Sequence, residues 1–338
     1  GRMDMMAIPT RAIHRLSDRQ VRCKPVVVIL GPTAVGKSRV AVEVAKAFET
    51  EVLTADSRQV YCGMDIGTDK PAQEERQEVP HRLIDLVNPD EPFNAGLYRG
   101  QAVDEMDRLY RDHRLPLVVG GTGLYVRTLL KGLCDAPPAD PMLRVALRLE
   151  AKEQGLDRLY ARLIGVDPVS AARLHPRDES KVIRALEVYQ LSGRRMSEFQ
   201  QEHAFAERPF CSLIIGLNRD RDALYRRIEE RIDWQLANGL IEETTRLLSL
   251  GYQRDSSAMK GLGYRQVAEH LAGEYDAAEM VRRFKRDTRH FSKRQMTWFR
   301  KEPGVQWLMI EQVDSVAHTA ELVIGQVERF LLTLEGQA

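Results

Sequence analysis

The apolar run PVVVIL at 25 to 30 leads directly into GPTAVGKS at 31 to 38 and then into RVAVEVAKAF, an order that constrains the fold more than any other stretch. The run reads as a buried strand, the octet as a phosphate loop and the periodic segment as a helix. Gly31, Pro32, Thr33, Ala34, Val35, Gly36, Lys37 and Ser38 have the full phosphate-loop spacing. In such a loop the backbone N–H groups and the helix N-terminus hold phosphate oxygens. Lys37 then neutralises them and Ser38 contacts Mg2+ directly or through water. The motif leaves open whether the phosphate belongs to a nucleotide or to another diphosphate.

Further strands are expected at EVLTA (51 to 55), LPLVVG (115 to 120), CSLIIGL (211 to 217) and VQWLMI (305 to 310), with the helical spacing of AGLYRGQAVDEMDRLYRDHR among them. This alternation predicts an α/β fold, a P-loop NTPase-like parallel sheet flanked by helices. After CDAPPAD at 134 to 140 the periodicity turns helical through residue 193, and a strand returns at 211. An all-helical domain, 138 to 203, is therefore expected as an insertion between a first core part, 25 to 137, and a second, 204 to 320. The 338 residues, 43% of them hydrophobic, allow two cores. Residues 1 to 24 are expected to form a flexible extension.

Fifty lysines and arginines against 49 acidic residues give a net charge of +1, so only local clustering can point to nucleic acid. Such a cluster is RRFKRDTRHFSKRQMTWFR, with eight basic residues to one aspartate. Interleaved aromatics there can pack inward while the cations meet RNA. Four scattered cysteines, Cys23, Cys62, Cys134 and Cys211, form no zinc or redox pair and suit a reducing cytoplasm. No secretory segment or apolar run of about 18 residues is present, so no membrane partner is expected.

Asp56 follows the second strand, at a sheet edge where such folds bind ligands. Its carboxylate suits water-mediated magnesium coordination, proton acceptance or simply a turn cap. Arg58, Gln59 and Tyr61 suit base-edge and stacking contacts or structural roles. Thr122, within GGTGLY, offers a hydroxyl at a tight turn. Arg219 and Arg221 both follow the strand at 211 and suit a diphosphate, or equally a charged helix start. Lys181 and Arg184 lie three apart on a helix, suited to backbone phosphate or to a solvated face.

The series GPTAVGKS, ADSRQVYCGMDIGTDKP, PHRLID, VVGGTGLY, HPRDESKVIRALEVYQLSG, MKGLGYRQ and KRQMTWFR resembles the tRNA dimethylallyltransferase family, also called tRNA isopentenylpyrophosphate transferases, across roughly residues 25 to 300. No cysteine and histidine spacing of the zinc extension of some eukaryotic members is seen, so the bacterial type is the nearer resemblance. The resemblance implies transfer of dimethylallyl from its diphosphate to N6 of adenosine 37, in tRNAs with adenosine at 36, by a cytoplasmic, Mg2+-using monomer. It implies that Gly31 to Ser38 cradle the donor diphosphate, that Asp56 is the general base and that Thr122 and Ser57 to Tyr61 wall the extruded base. Arg221 is implied to neutralise the departing diphosphate. Contacts to the tRNA anticodon stem-loop are implied for Ser57, Arg58, Gln59, Tyr61, Arg144, Lys181, Arg184, Lys260, Gly261, Gly263, Tyr264, Arg265, Lys293, Arg294, Gln295 and Arg300. The competing reading of the phosphate loop is an ATP-dependent small-molecule or nucleotide kinase, with nucleotide bound where the donor would sit.

Overall fold

The computed structural model describes residues 15–132, 136–205, 210–311 and 316–336. Its contacts divide the chain into two units, Gly1–Lys131 with Pro209–Ala338, and Gly132–Arg208. The first unit runs through α1 (Asp18–Arg22), β1 (Pro25–Leu30), α2 (Lys37–Ala47), β2 (Val52–Thr54), α3 (Gln73–Glu78), β3 (His81–Arg82), α4 (Ala95–Arg111), β4 (Leu117–Gly120) and α5 (Gly123–Lys131). The second holds α6 (Pro141–Gln154), α7 (Leu156–Val166), α8 (Pro168–Arg173), α9 (Glu179–Ser192) and α10 (Met196–Phe205). The first then resumes with β5 (Cys211–Asn218), α11 (Arg221–Ala237), α12 (Leu240–Ser249), α13 (Tyr264–Leu271), α14 (Ala277–Arg300), β6 (Val305–Met309) and α15 (Val316–Glu335).

The six strands lie in the order β3-β2-β4-β1-β5-β6, and every pairing is parallel. This is the expected P-loop NTPase-like sheet. All six residues of β1 are buried, as a strand covered on both faces requires. Val28 pairs with Val118 on one side and Ile214 on the other. Because the strands are parallel, the loops leaving Leu30, Thr54 and Gly120 open at one edge of the sheet. Gly120 permits that convergence, since a Cβ there would lie 2.0 Å from the Ala55 carbonyl oxygen.

The second unit has its own core, centred on Leu147, Leu159, Leu163, Val182, Ile183 and Leu186. Asp140, Asp167 and Asp178 cap α6, α8 and α9 by accepting backbone N–H bonds. Asp167 is buried and accepts from the hydroxyls of Ser170 and Ser197, both at 2.6 Å.

The start of the chain departs from expectation. Leu16 and Gln20 are buried, Ser17 and Gln20 form a capping box for α1, and the Gln20 amide donates to the Leu331 carbonyl of α15 at 3.0 Å. The flexible extension is thus corrected over residues 15 to 24, while residues 1 to 14 lie outside the described ones. Helix α15 runs past residue 320, burying Val323, Val327, Leu331 and Leu334. Cys23, Cys62 and Cys211 are free thiols, and Cys134 lies outside the described residues. No described helix is long and apolar enough to cross a membrane.

Candidate active site

The loop between β1 and α2 turns through Ala34 at φ 65° and Gly36 at φ 106°, anchored by the fully buried Val35. Its outward carbonyls are taken by arginines. Arg219 Nε donates to the Val35 carbonyl and Arg227 Nε to that of Ala34, each at 2.8 Å. Thr33 N–H donates at 2.9 Å to Gln295 Oε1, whose Nε2 in turn donates to the Gly121 carbonyl at 3.1 Å. Thr33, Ala34, Gly36, Lys37 and Ser38 all line a cavity of about 1000 Å3. Burial pushes the Lys37 ammonium below its ordinary pKa, opposed by the fields of Asp56 and Asp69.

Asp56 lines the same cavity, two residues beyond β2. Its Oδ1 accepts the backbone N–H groups of Arg58 at 2.7 Å and Gln59 at 3.1 Å, an Asx turn that leaves Oδ2 available to take a proton. Thr122 Oγ1 accepts from Ser57 N–H at 2.8 Å, joining the loops after β2 and β4. Lys37, Ser38, Asp56, Ser57 and Thr122 therefore share one chamber.

The cationic wall is supplied by α11. Arg227 and Arg231 are four apart and both line the cavity, whereas Arg221 is exposed and lies over the Tyr225 ring at 5.9 Å. Arg221, expected at the diphosphate, thus lies outside the cavity lining, with Tyr225 on a different helix face from the Arg227–Arg231 pair. Arg231 Nε donates to Asp69 Oδ1 at 2.6 Å, and its guanidinium covers the Trp234 ring at 4.6 Å.

Several expected RNA contacts are internal. Tyr264 is buried and its hydroxyl donates to Glu243 at 2.6 Å, Tyr61 belongs to the core, and Gln59 spends its amide on the carbonyls of Thr68 and Asp69. Gly263 caps α13 at φ 85°, and Gly261 lies against the Arg58 guanidinium. Arg58 donates to the Ser257 carbonyl at 2.7 Å. Gln295 is nearly buried between two loops. In the second unit Arg144 grips Glu187 with two bonds, at 2.9 and 3.1 Å, and Arg184 pairs with the same carboxylate at 2.5 Å. Burial of a carboxylate requires such partners, so both arginines have a structural task there. Lys181, Lys260, Arg265, Lys293, Arg294 and Arg300 are exposed, and Lys260, Arg265 and Arg294 also line the cavity.

The donor set fits Mg2+. Ser38 is an exposed hydroxyl in the cavity that Asp56 also lines, a hard-oxygen environment. Among the described residues no three histidine, cysteine or carboxylate groups converge to hold an ion on their own. Sharing the ion with substrate phosphates is the mode that suits magnesium.

A family model described as IPP transferase matches residues 59–302, and one described as isopentenyl transferase matches residues 24–90. The chain belongs to the IPP transferase family. The tRNA dimethylallyltransferase 1 of Trichlorobacter lovleyi is 46% identical over 295 residues, 87% of this chain and 97% of its own. The tRNA dimethylallyltransferase of Geobacter metallireducens is 48% identical, covering 83% of this chain and 91% of its own. Among solved structures, the tRNA isopentenylpyrophosphate transferase of Bacillus halodurans superposes with a TM-score of 0.69 at 36% identity, covering 93% of this chain and all of that one. A eukaryotic dimethylallyltransferase described as acting on tRNA gives a TM-score of 0.76 at 25% identity, covering 91% of this chain and 80% of that one.

Asp69, Arg227 and Arg231 line the cavity without having been expected there. Their signals were present: Asp69 stands in GMDIGTDKP, and the spacing of the two arginines in RRIEERI puts them on one helix face. Only packing reveals that this face, and not that of Arg221, turns toward the phosphate loop.

Proposed function

We propose that the chain transfers a dimethylallyl group from dimethylallyl diphosphate to N6 of adenosine 37 in tRNAs with adenosine at 36, releasing diphosphate, as a cytoplasmic monomer. The carrying observation is that a phosphate loop and a carboxylate with a free oxygen, Asp56, line one cavity. Substitution at an allylic carbon needs both, a cradle for the leaving group and an acceptor for the amine's proton. The N6 lone pair forms the new C–N bond, the C–O bond breaks with its electrons going to diphosphate, and the amine proton passes to Asp56 Oδ2.

Lys37, Arg227 and Arg231 offset the charge that develops on the leaving group. Mg2+ bound at Ser38 would add Lewis-acid neutralisation of the diphosphate oxygens. An adenine inside a stacked loop must be extruded to reach Asp56, which suits a deep chamber rimmed by Lys260, Arg265 and Arg294. Lys181 of the helical unit, exposed and paired with Asp178 at 3.4 Å, can exchange that surface partner for backbone phosphate. Family membership does not favour the kinase reading.

Labelled donor, an unmodified anticodon stem-loop with adenosines 36 and 37, and magnesium without ATP are expected to give label on adenosine 37. No transfer by folded, RNA-binding protein refutes the proposal. Asp56→Asn keeps an acceptor for the turn but loses the base, so its single-turnover rate is expected to fall by about 100-fold or more. RNA affinity should be unaltered, and an unchanged rate removes Asp56 as the base.

A further inference from the structure

Asp56, Asp69, Glu75 and Glu230 all line the cavity, and of these Asp69 bonds the cavity arginine Arg231, at 2.6 Å, while the transfer chemistry gives it no task. Its placement is heavily determined. The backbone stands at φ 54°, its carbonyl accepts from Gln59 Nε2 at 3.1 Å, and the preceding N–H groups of Asp65, Ile66 and Gly67 donate to the buried Glu243. On its side chain, Oδ1 alone receives both Arg231 Nε at 2.6 Å and Gln235 Nε2 at 2.7 Å. Arg231 sits one helical turn from Arg227, which touches the phosphate loop itself. A diphosphate drawn to Arg231 thus meets a guanidinium already engaged by a fixed anion.

We propose that Asp69 is a resident counter-ion that competes with diphosphate for Arg231 and thereby limits how tightly the product is held. This rests on the reading of the cavity as a diphosphate site. A cluster of Lys37, Arg227 and Arg231 without an internal anion would bind a multiply charged product strongly and release it slowly. Asp69 is a positioning residue in this scheme: it orients Arg231 and offsets part of its charge, and it touches no reacting atom.

Calorimetric titration of inorganic diphosphate with magnesium into the full chain tests this. Asp69→Asn retains an oxygen for the Arg231 and Gln235 bonds but loses the charge, so diphosphate should bind about tenfold tighter, a change of the size one partly screened charge produces. Asp69→Ser, a second neutral variant, should also tighten binding, whereas Arg231→Ala should weaken it. In the Arg231→Ala background the gain from Asp69→Asn should disappear. Unchanged or weaker binding by both neutral variants overturns the proposal, as does an equal gain with and without Arg231. If the unsubstituted chain binds no diphosphate, the reading of the cavity falls as well, an outcome distinct from normal binding that ignores Asp69.

Discussion

The Gln295 amide ties the phosphate loop to the loop after β4, one end accepting from Thr33 N–H and the other donating to the Gly121 carbonyl. Gln295→Leu keeps the volume and removes both bonds, a loss of about 1–2 kcal/mol in the order of the two loops. We expect the KM for the prenyl donor to rise about fivefold or more, since the loop must then be ordered at binding. An unchanged KM in steady-state kinetics contradicts this role. Residues of this kind also mark where reading the sequence stops. The phosphate loop is legible because its chemistry is local, residue following residue, as it is for Asp56 at the end of β2. Gln295 lies 262 positions from Thr33, and within KRQMTWFR it reads as one more RNA contact. The structural task of Arg144 and Arg184 is hidden in the same way, because the buried Glu187 that both bond is distant from Arg144 in sequence and is one acidic residue among 49.

At the scale of elements, α12 fixes the loop that carries Asp69. Glu243, buried within that helix, accepts from Asp65, Ile66 and Gly67 N–H and from the Tyr264 hydroxyl at 2.6 Å, joining loop, α12 and α13. Glu243→Ala removes the acceptor of three part-buried N–H groups and of the buried Tyr264 hydroxyl, a cost of about 3 kcal/mol. The expected result is a lower urea midpoint, because the loop bearing Asp69, α12 and α13 lose their common acceptor. A midpoint within experimental error of the parent protein's contradicts the clamp. Helix α14 has a comparable tie, with Lys285 pairing with Asp233 at 2.8 Å and Arg289 with Glu229 at 2.9 Å on α11. Two of its basic residues thus serve helix packing, and its RNA-facing candidates lie nearer its C-terminal end.

For the whole molecule, strand and helix periodicity made the alternating core and the helical insertion legible, since both patterns recur over many residues. The docking of α1 on α15 was not, because it joins opposite ends of the chain through a few side chains such as Gln20. The two units also hold their charge differently. In the helical unit the buried Glu187 has its pKa set by opposing causes: burial raises it, and bonds from Arg144, Arg184 and the Asp140 N–H bring it down to about 2, below the ordinary 4.5. Asp167 is likewise lowered, where its bonds from Ser170 and Ser197 outweigh the effect of burial. A carboxylate depressed in the folded state stabilises it above its unfolded pKa, and that stability fades as pH falls through the folded value. For Glu187 the window runs from 4.5 down to about 2, and the contribution at neutral pH is roughly 2–3 kcal/mol. Hydrogen exchange across pH 7 to 3 should therefore show amides of α6 and α9 losing protection before those of β1 and β4. Glu187→Gln should lower α6 and α9 protection at pH 7, by a margin that narrows below pH 4.5. If the margin stays constant over that range, the Glu187 carboxylate is not what holds α6 to α9.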